Sequence, residues 1–206
     1  MTLIRPFALG DEPALAEICL LTAAAGGDAT GLLEDDDIWA NLFVLPYVAH
    51  DPEFALVVEA DDGRVVGYLV ATPDTDGFEE WFHDVWWPRF AERWPEPGRQ
   101  LTPQDELLHY AYSRRGGING YVAEYPAHLH ICLRPEVQLT GWGRRLIEAE
   151  QARLRQADVH GLHLVAVSDN VGALAFYTRV GFITLPSEPG LQAFGVKVQQ
   201  RMAGSG

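Results

Sequence analysis

A mixed α/β domain, with a central sheet that is mostly antiparallel but carries one parallel pair, is the fold class the sequence predicts. Three observations predict it. Two β-rich runs, 54–60 and 65–72, flank Asp61-Asp62-Gly63-Arg64, whose Asp-Gly pair marks an antiparallel hairpin. Strand-like segments 127–133 and 162–167 enclose a helical segment, 141–157, and parallel strands joined in this way take a right-handed crossover. At 206 residues, 48% of them hydrophobic and 21% charged, the chain has room for one domain with an added segment and enough apolar side chain to bury a core.

The elements follow in order. Leu3 and Ile4 open a short strand, and Asp11 followed by Pro13 starts a helix whose Leu15, Ile18 and Cys19 share one buried face. Within 26–50 the acidic run 34–37 stands where a helix N-terminus favours carboxylates, with Trp39, Leu42 and Phe43 on the short helix it begins. After the hairpin comes 73–125, read as a helical, aromatic insertion within a single domain spanning 1–206. Here Phe78, Trp81, Phe82, Val85 and Trp86 recur at three- and four-residue steps before Pro88 and a Pro-Gly-rich break. Thr102-Pro103 then starts another helix, with Thr as cap and Pro in the first turn. The insertion's rings are expected to pack a local core. Because the insertion immediately precedes the strand 127–133, Tyr110, Tyr112 and Tyr121 are candidates to line a ligand groove beside it. Leu146, Ile147, Leu154 and Ala157 share one face of the helix 141–157, and the nearly continuous apolar run 162–167 reads as a strand covered on both faces. A short helix, 173–180, closes at Gly181, and 182–185 with 193–198 supply the last strands.

Charge excludes one class of function. With 29 acidic and 15 basic residues the net charge is −14, which repels phosphate backbones and argues against nucleic-acid binding. Such a field suits a cationic ligand, and serves solubility as well. The opening residues lack a basic-then-apolar leader and no run is long enough to span a bilayer, so a cytoplasmic protein without a membrane segment is expected. Cys19 and Cys132 are too few for a disulfide framework and read as buried small hydrophobes. No metal site is expected, because His128 and His130 lack a third ligand.

The segment Gln138-Leu139-Thr140-Gly141-Trp142-Gly143 lies between a strand and a helix. Its glycines let backbone approach closely while free N–H groups at the helix start face an anion. A dinucleotide fingerprint would need a glycine where Leu146 stands, and a nucleoside-triphosphate loop would need Lys and Ser or Thr where Arg144 and Arg145 stand. The segment is therefore a pyrophosphate cradle or simply a tight turn.

Residues 129–147, with Gln138-x-x-Gly141-x-Gly143, followed by Ser168-Asp169-Asn170 and the run from Ala173 through Phe176-Tyr177 to Gly181-Phe182, resemble the GNAT acetyltransferase superfamily. Tyr125-Pro126-Ala127-His128-Leu129 leading into Arg134-Pro135-Glu136, with the long insertion before it, resembles more narrowly the bacterial relatives of the acetyltransferase-like domain of O-GlcNAcase. The resemblance implies a GNAT fold in which strand 127–133 splays from strand 162–167 and the pantetheine arm of acetyl-coenzyme A enters the gap, pairing with backbone near Ile131, Cys132 and Leu133. The amides of Leu139, Gly141, Trp142, Gly143 and Arg144 would cradle the pyrophosphate, Asn170 would touch the pantetheine arm or cap a helix, and Phe176 would lie beside it. Tyr177 matches the family tyrosine that protonates the departing thiolate. Where many members carry a base Glu, this strand has His128 and His130, which share one face, with Glu124 as a further base candidate at the strand entrance. The expected activity is acetyl-coenzyme-A-dependent transfer to the primary amine of a small molecule or peptide. The alternative is a domain that binds the cofactor and works as an interaction module without turnover.

Overall fold

The computed structural model describes residues 1–99 and 102–198. Seven strands form one sheet in the order β1-β2-β3-β4-β5-β7-β6: β1 (Leu3–Pro6), β2 (Ala55–Glu59), β3 (Val65–Thr72), β4 (Ala127–Leu133), β5 (Gly161–Val167), β6 (Ile183–Leu185) and β7 (Leu191–Lys197). Every neighbouring pair is antiparallel except β4 and β5, which the crossover helix α6 (Trp142–Gln156) makes parallel. The fold class is the one expected.

Each face of the sheet carries its own core. On one face α6 and α7 (Val171–Arg179) bury Leu146, Ile147, Leu154 and Tyr177 against Leu56, Leu69, Leu129 and Leu164. On the other, α1 (Glu12–Leu20), α2 (Asp37–Phe43) and α3 (Leu45–His50) place Leu15, Ile18, Val44 and Tyr47 over Val57, Tyr68 and Val70. Side chains in β4 alternate between these cores: Leu129 and Ile131 enter the first, while His128, His130 and Cys132 face the second.

A third core forms where segment 73–125 meets α2. α4 (Thr75–Trp81) opens with the Asp74 carboxylate accepting from the Gly77 amide, and α5 (Pro103–Ser113) with a capping box between Thr102 and Asp105. Between them Pro88 cannot donate the hydrogen bond that would continue an α-helix. The chain widens into a π-helical turn, Phe82–Trp86, in which the Trp87 amide reaches the Phe82 carbonyl, and then tightens through Trp87–Phe90. This distortion buries Phe82, Trp86 and Trp87 together with Trp94, Ile38 and Leu42, while Val85 points to solvent. Fully buried side chains of this size contribute about 1.5–3 kcal/mol each.

Three expectations are corrected. Ala157 falls just past α6 and is exposed. Cys132 is only half-buried, because β4 has by then lost its neighbour on one side. The second half of β5 is not covered on both faces: Val165 and Val167 are 46% and 45% exposed, since no helix among the described residues packs on the α1 side of the sheet there.

Candidate active site

The β4–β5 ladder stops almost as soon as it starts. Only Ala127–Leu162 and His128–His163 are paired, although both strands continue for several residues. The direction of the exposed backbone follows from the other neighbour. The Arg134 amide donates to the Val66 carbonyl at 2.9 Å, so the even-numbered residues His130 and Cys132 exchange hydrogen bonds with β3. Ile131 and Leu133 therefore turn their amides and carbonyls toward β5, across the gap. Of the three residues expected to pair with a ligand there, Cys132 has its backbone committed to β3, and the Leu133 carbonyl already accepts from Gln138 Nε2 at 2.9 Å.

The foot of the gap is the turn between β4 and α6. Leu139 and Gly141 both lie in the left-handed region, at φ 59° and 93°, and Thr140 Oγ1 donates to the Val137 carbonyl at 2.6 Å. These constraints bring the first-turn amides of α6 into the open beside Leu139, whose side chain is 99% exposed. Gly143 is needed for packing: a Cβ there would stand 2.9 Å from Phe176 Cζ, so its absence lets α6 and α7 close on each other at this level. Arg144 and Arg145 stand at the same helix start without a carboxylate partner among the described residues; Arg144 reaches only the Arg179 carbonyl, at 3.3 Å, and Arg145 stacks on Trp142. Amides, helix dipole and two cations stand together at this helix start, a combination that favours an anion.

α7 begins just after β5 and meets the start of α6 where Phe176 approaches Gly143. Asn170 Oδ1 accepts from the Ala173 amide at 3.0 Å and so caps the helix, while its Nδ2 lies against Gly26 of the loop after α1. Tyr177 is nearly buried among Phe176, Phe182 and Phe194, and its hydroxyl has no hydrogen-bond partner among the described residues. Burial pushes this phenol well above the ordinary tyrosine value, and the nearby Cys132 thiol adds to the shift. Tyr177 is thus a proton-bearing donor with its proton unspent.

The histidines divide by their partners. Thr75 Oγ1 has one hydrogen, and its 2.6 Å contact with the Pro126 carbonyl uses it. Thr75 must then accept from His128 Nδ1 at 2.8 Å, which leaves His128 Nε2 to accept from the Tyr47 hydroxyl at 2.6 Å. His128 is buried and neutral, held well below the ordinary histidine value by burial first and by its histidine neighbours and Arg114 after it. With both ring nitrogens committed, it is not placed to take a proton from an acceptor. His130, between Phe43 and Tyr47, has no hydrogen-bond partner among the described residues. Burial, then the Arg114 cation, lowers it to about 4. Glu124 is exposed and paired with Lys197 at 2.9 Å, outside the gap.

Sequence reasoning missed His163, which pairs with His128 at the point where the strands part. The Asn119 amide is oriented by the Tyr121 N–H that its Oδ1 accepts, so Asn119 Nδ2 donates to His163 Nε2 at 3.0 Å, and His163 Nδ1 donates to the Tyr125 carbonyl at 2.7 Å. This ring pins segment 119–125 to β5. A polar residue inside the apolar run 162–167 was the available signal. Arg114 was missed as well. It grips Glu79 through two bonds of 2.7 and 2.8 Å, donates to the Leu42 carbonyl and stacks on Phe82, and it has no local sequence signal.

A sheet opened at its one parallel pair, with free helix-start amides and two arginines at the foot of the opening and an unpartnered tyrosine hydroxyl on α7, is suited to acyl transfer. The comparisons agree. The sequence model of the acetyltransferase (GNAT) domain matches residues 105–184. The crystal structure of SsHAT is 35% identical, superposes with a TM-score of 0.90, and the match covers 97% of this chain and 99% of that one, so segment 73–125 has a counterpart there. The PaiA N-acetyltransferase of Thermoplasma acidophilum, solved with coenzyme A, is 13% identical at a TM-score of 0.60, covering 96% of this chain and 99% of that one. The ribosomal-protein-S18-alanine N-acetyltransferase of Escherichia coli is 17% identical at 0.54, covering 100% and 97%. These last two share the fold. The chain belongs to the GNAT acetyltransferase family.

Among the described residues no helix is long and apolar enough to cross a membrane.

Proposed function

We propose that the protein transfers the acetyl group of acetyl-coenzyme A directly to a primary amine. The observation that carries this is the β4–β5 gap, with the backbone of Ile131 facing it unpaired, the free first-turn amides of α6 at its foot and the unpartnered Tyr177 hydroxyl on α7. Acetyl-coenzyme A supplies an activated acyl group as a thioester. The amides of Leu139, Gly141, Trp142, Gly143 and Arg144 hold its pyrophosphate, Ile131 and Leu133 orient its pantetheine arm, and Phe176 flanks it. Tyr177 gives its proton to the sulfur as the carbon–sulfur bond breaks.

Among the candidate bases His130 alone keeps its ring nitrogens uncommitted to any described residue, so it is the one left to take the proton of the attacking nitrogen. At about 4 it is neutral at physiological pH but weakly basic, so the rate follows the amine's own deprotonation and carries no acid limb near 6.5. The test is release of coenzyme A thiol across a panel of primary amines, together with calorimetric titration of acetyl-coenzyme A. Saturable binding with turnover supports the proposal. Binding without turnover on any amine would reduce the protein to a cofactor-binding module, and no binding at near-millimolar ligand would end it.

A further inference from the structure

Beside the gap, on the α1 side of the sheet, lies a cleft of about 750 Å3 that reaches the gap's β5 edge at Val165. Its floor is the uncovered part of the sheet, Val165 of β5 and Leu191 of β7, which is why those side chains are exposed. Tyr110 and Ile118 rise on one side, Leu185 and Pro186 on the other, and Tyr121 spans the two by donating its hydroxyl to the Pro186 carbonyl. Tyr112, a candidate for this groove, is instead turned away, with its hydroxyl on the Trp94 carbonyl.

The net charge suggests an acceptor rich in positive charge, and the cleft does not. Its carboxylates are mostly paired, and Arg115 keeps a positive charge that no carboxylate among the described residues offsets. Glu79 is held by two bonds from Arg114, Arg115 donates to the Tyr112 and Arg114 carbonyls, and Glu124 is paired with Lys197. Only Glu188, at the rim, lines the cleft with a carboxylate that has no partner among the described residues. A second ammonium on the acceptor would leave water and find no counter-charge, which costs more than the cleft returns. An apolar ring would cover Val165 and Leu191 and stack against Tyr110 or Tyr121, gaining area burial and ring contact together.

Resting on the acetyl-transfer reading above, we infer that the acceptor is a monoamine with an aromatic body, its ring on the Val165–Leu191 floor and its nitrogen directed to the β4–β5 gap, and that Glu188 at the rim attracts the single ammonium as it enters. One free carboxylate matches one cation. The rest of the surface matches a ring.

The experiment compares 2-phenylethylamine and tryptamine with 1,4-diaminobutane and spermidine, by thiol release and by calorimetry on the protein loaded with coenzyme A. Aryl amines are expected to exceed the polyamines about tenfold or more in kcat/KM, or in affinity if none turns over. Val165→Glu, at an exposed position, should erase that preference while acetyl-coenzyme A affinity stays within a few-fold. Equal or better use of polyamines, or binding of neither class, overturns the inference even if acetyl-coenzyme A binds normally. Failure of acetyl-coenzyme A itself to bind defeats the acetyl-transfer reading, and the calorimetric comparison on the unloaded protein still decides which amine the cleft prefers.

Discussion

Replacing Gly143 with Ala tests whether the anion site depends on close packing of α6 against α7. The added methyl would meet Phe176 Cζ at 2.9 Å and Cε2 at 3.1 Å. Ordinary carbon contacts lie near 3.5–4.0 Å. The ring or the helix start must therefore give way by roughly 0.5–1 Å, and overpacking of this kind costs about 1–3 kcal/mol. Alanine is a better helix former than glycine by about 0.8–1 kcal/mol in a helix interior, and by less in the first turn, where Gly143 stands. The net is a destabilisation of about 0.5–2 kcal/mol, read as a shift of the urea midpoint at unchanged slope. A displaced helix start also moves the amides expected to hold pyrophosphate, so acetyl-coenzyme A affinity should fall with stability. Phe176→Leu in the same chain shortens the obstructing ring and should recover part of the stability, giving a coupling between the two positions. Gly143→Ala with undiminished stability and cofactor binding would refute the packing argument, and so would a double variant whose losses simply add.

Further outcomes follow from the same geometry. Tyr177→Phe should keep acetyl-coenzyme A affinity within a few-fold and lower turnover by about 10²-fold, as one lost general acid does; parallel loss of affinity would make the tyrosine structural. Gly141→Asp places a carboxylate and a strained left-handed backbone where the anion belongs, so cofactor binding should collapse in calorimetry. Glu150 is wholly buried on α6, neither carboxylate oxygen has a hydrogen-bond partner among the described residues, and burial raises it to about 8. Its folded form holds a proton that the unfolded form gives up near 4.5, so wild-type stability should fall as pH rises between about 4.5 and 8, and Glu150→Gln should remove that slope in urea titrations. His130 acts in the opposite direction. Its folded value of about 4 lies below the ordinary 6.5, so the unfolded chain binds the extra proton and stability falls as pH drops from 6.5 toward 4, a loss that His130→Asn should lessen.

What the sequence made legible was whatever rests on neighbours along the chain. The Asp-Gly hairpin, the Thr102-Pro103 helix start and the glycine turn before α6 are local, and each appears where local chemistry puts it. The aromatic run of 78–94 was legible as core but not as a distorted helix, because the π-helical turn depends on where Pro88 falls relative to the buried rings. The histidines show the limit most clearly. Alternation placed His128 and His130 on one face, yet it could not separate them. That distinction comes from Tyr47 and Thr75, 81 and 53 residues away, which take both nitrogens of one ring and neither of the other. The uncovered half of β5 was illegible for the same reason: an apolar run reads alike whether its second face meets a helix or an open cleft.

The central claim, that the β4–β5 gap takes the acyl thioester with its sulfur toward Tyr177, is tested most directly by a crystal structure of the protein with acetyl-coenzyme A. The account predicts the pyrophosphate on the amides of Leu139 to Arg144, the pantetheine arm against the backbone of Ile131 and Leu133, and the sulfur within about 4 Å of the Tyr177 hydroxyl, the reach of a hydrogen bond to sulfur. Acetyl-coenzyme A bound elsewhere, or bound in the gap with its sulfur beyond reach of Tyr177, would contradict it.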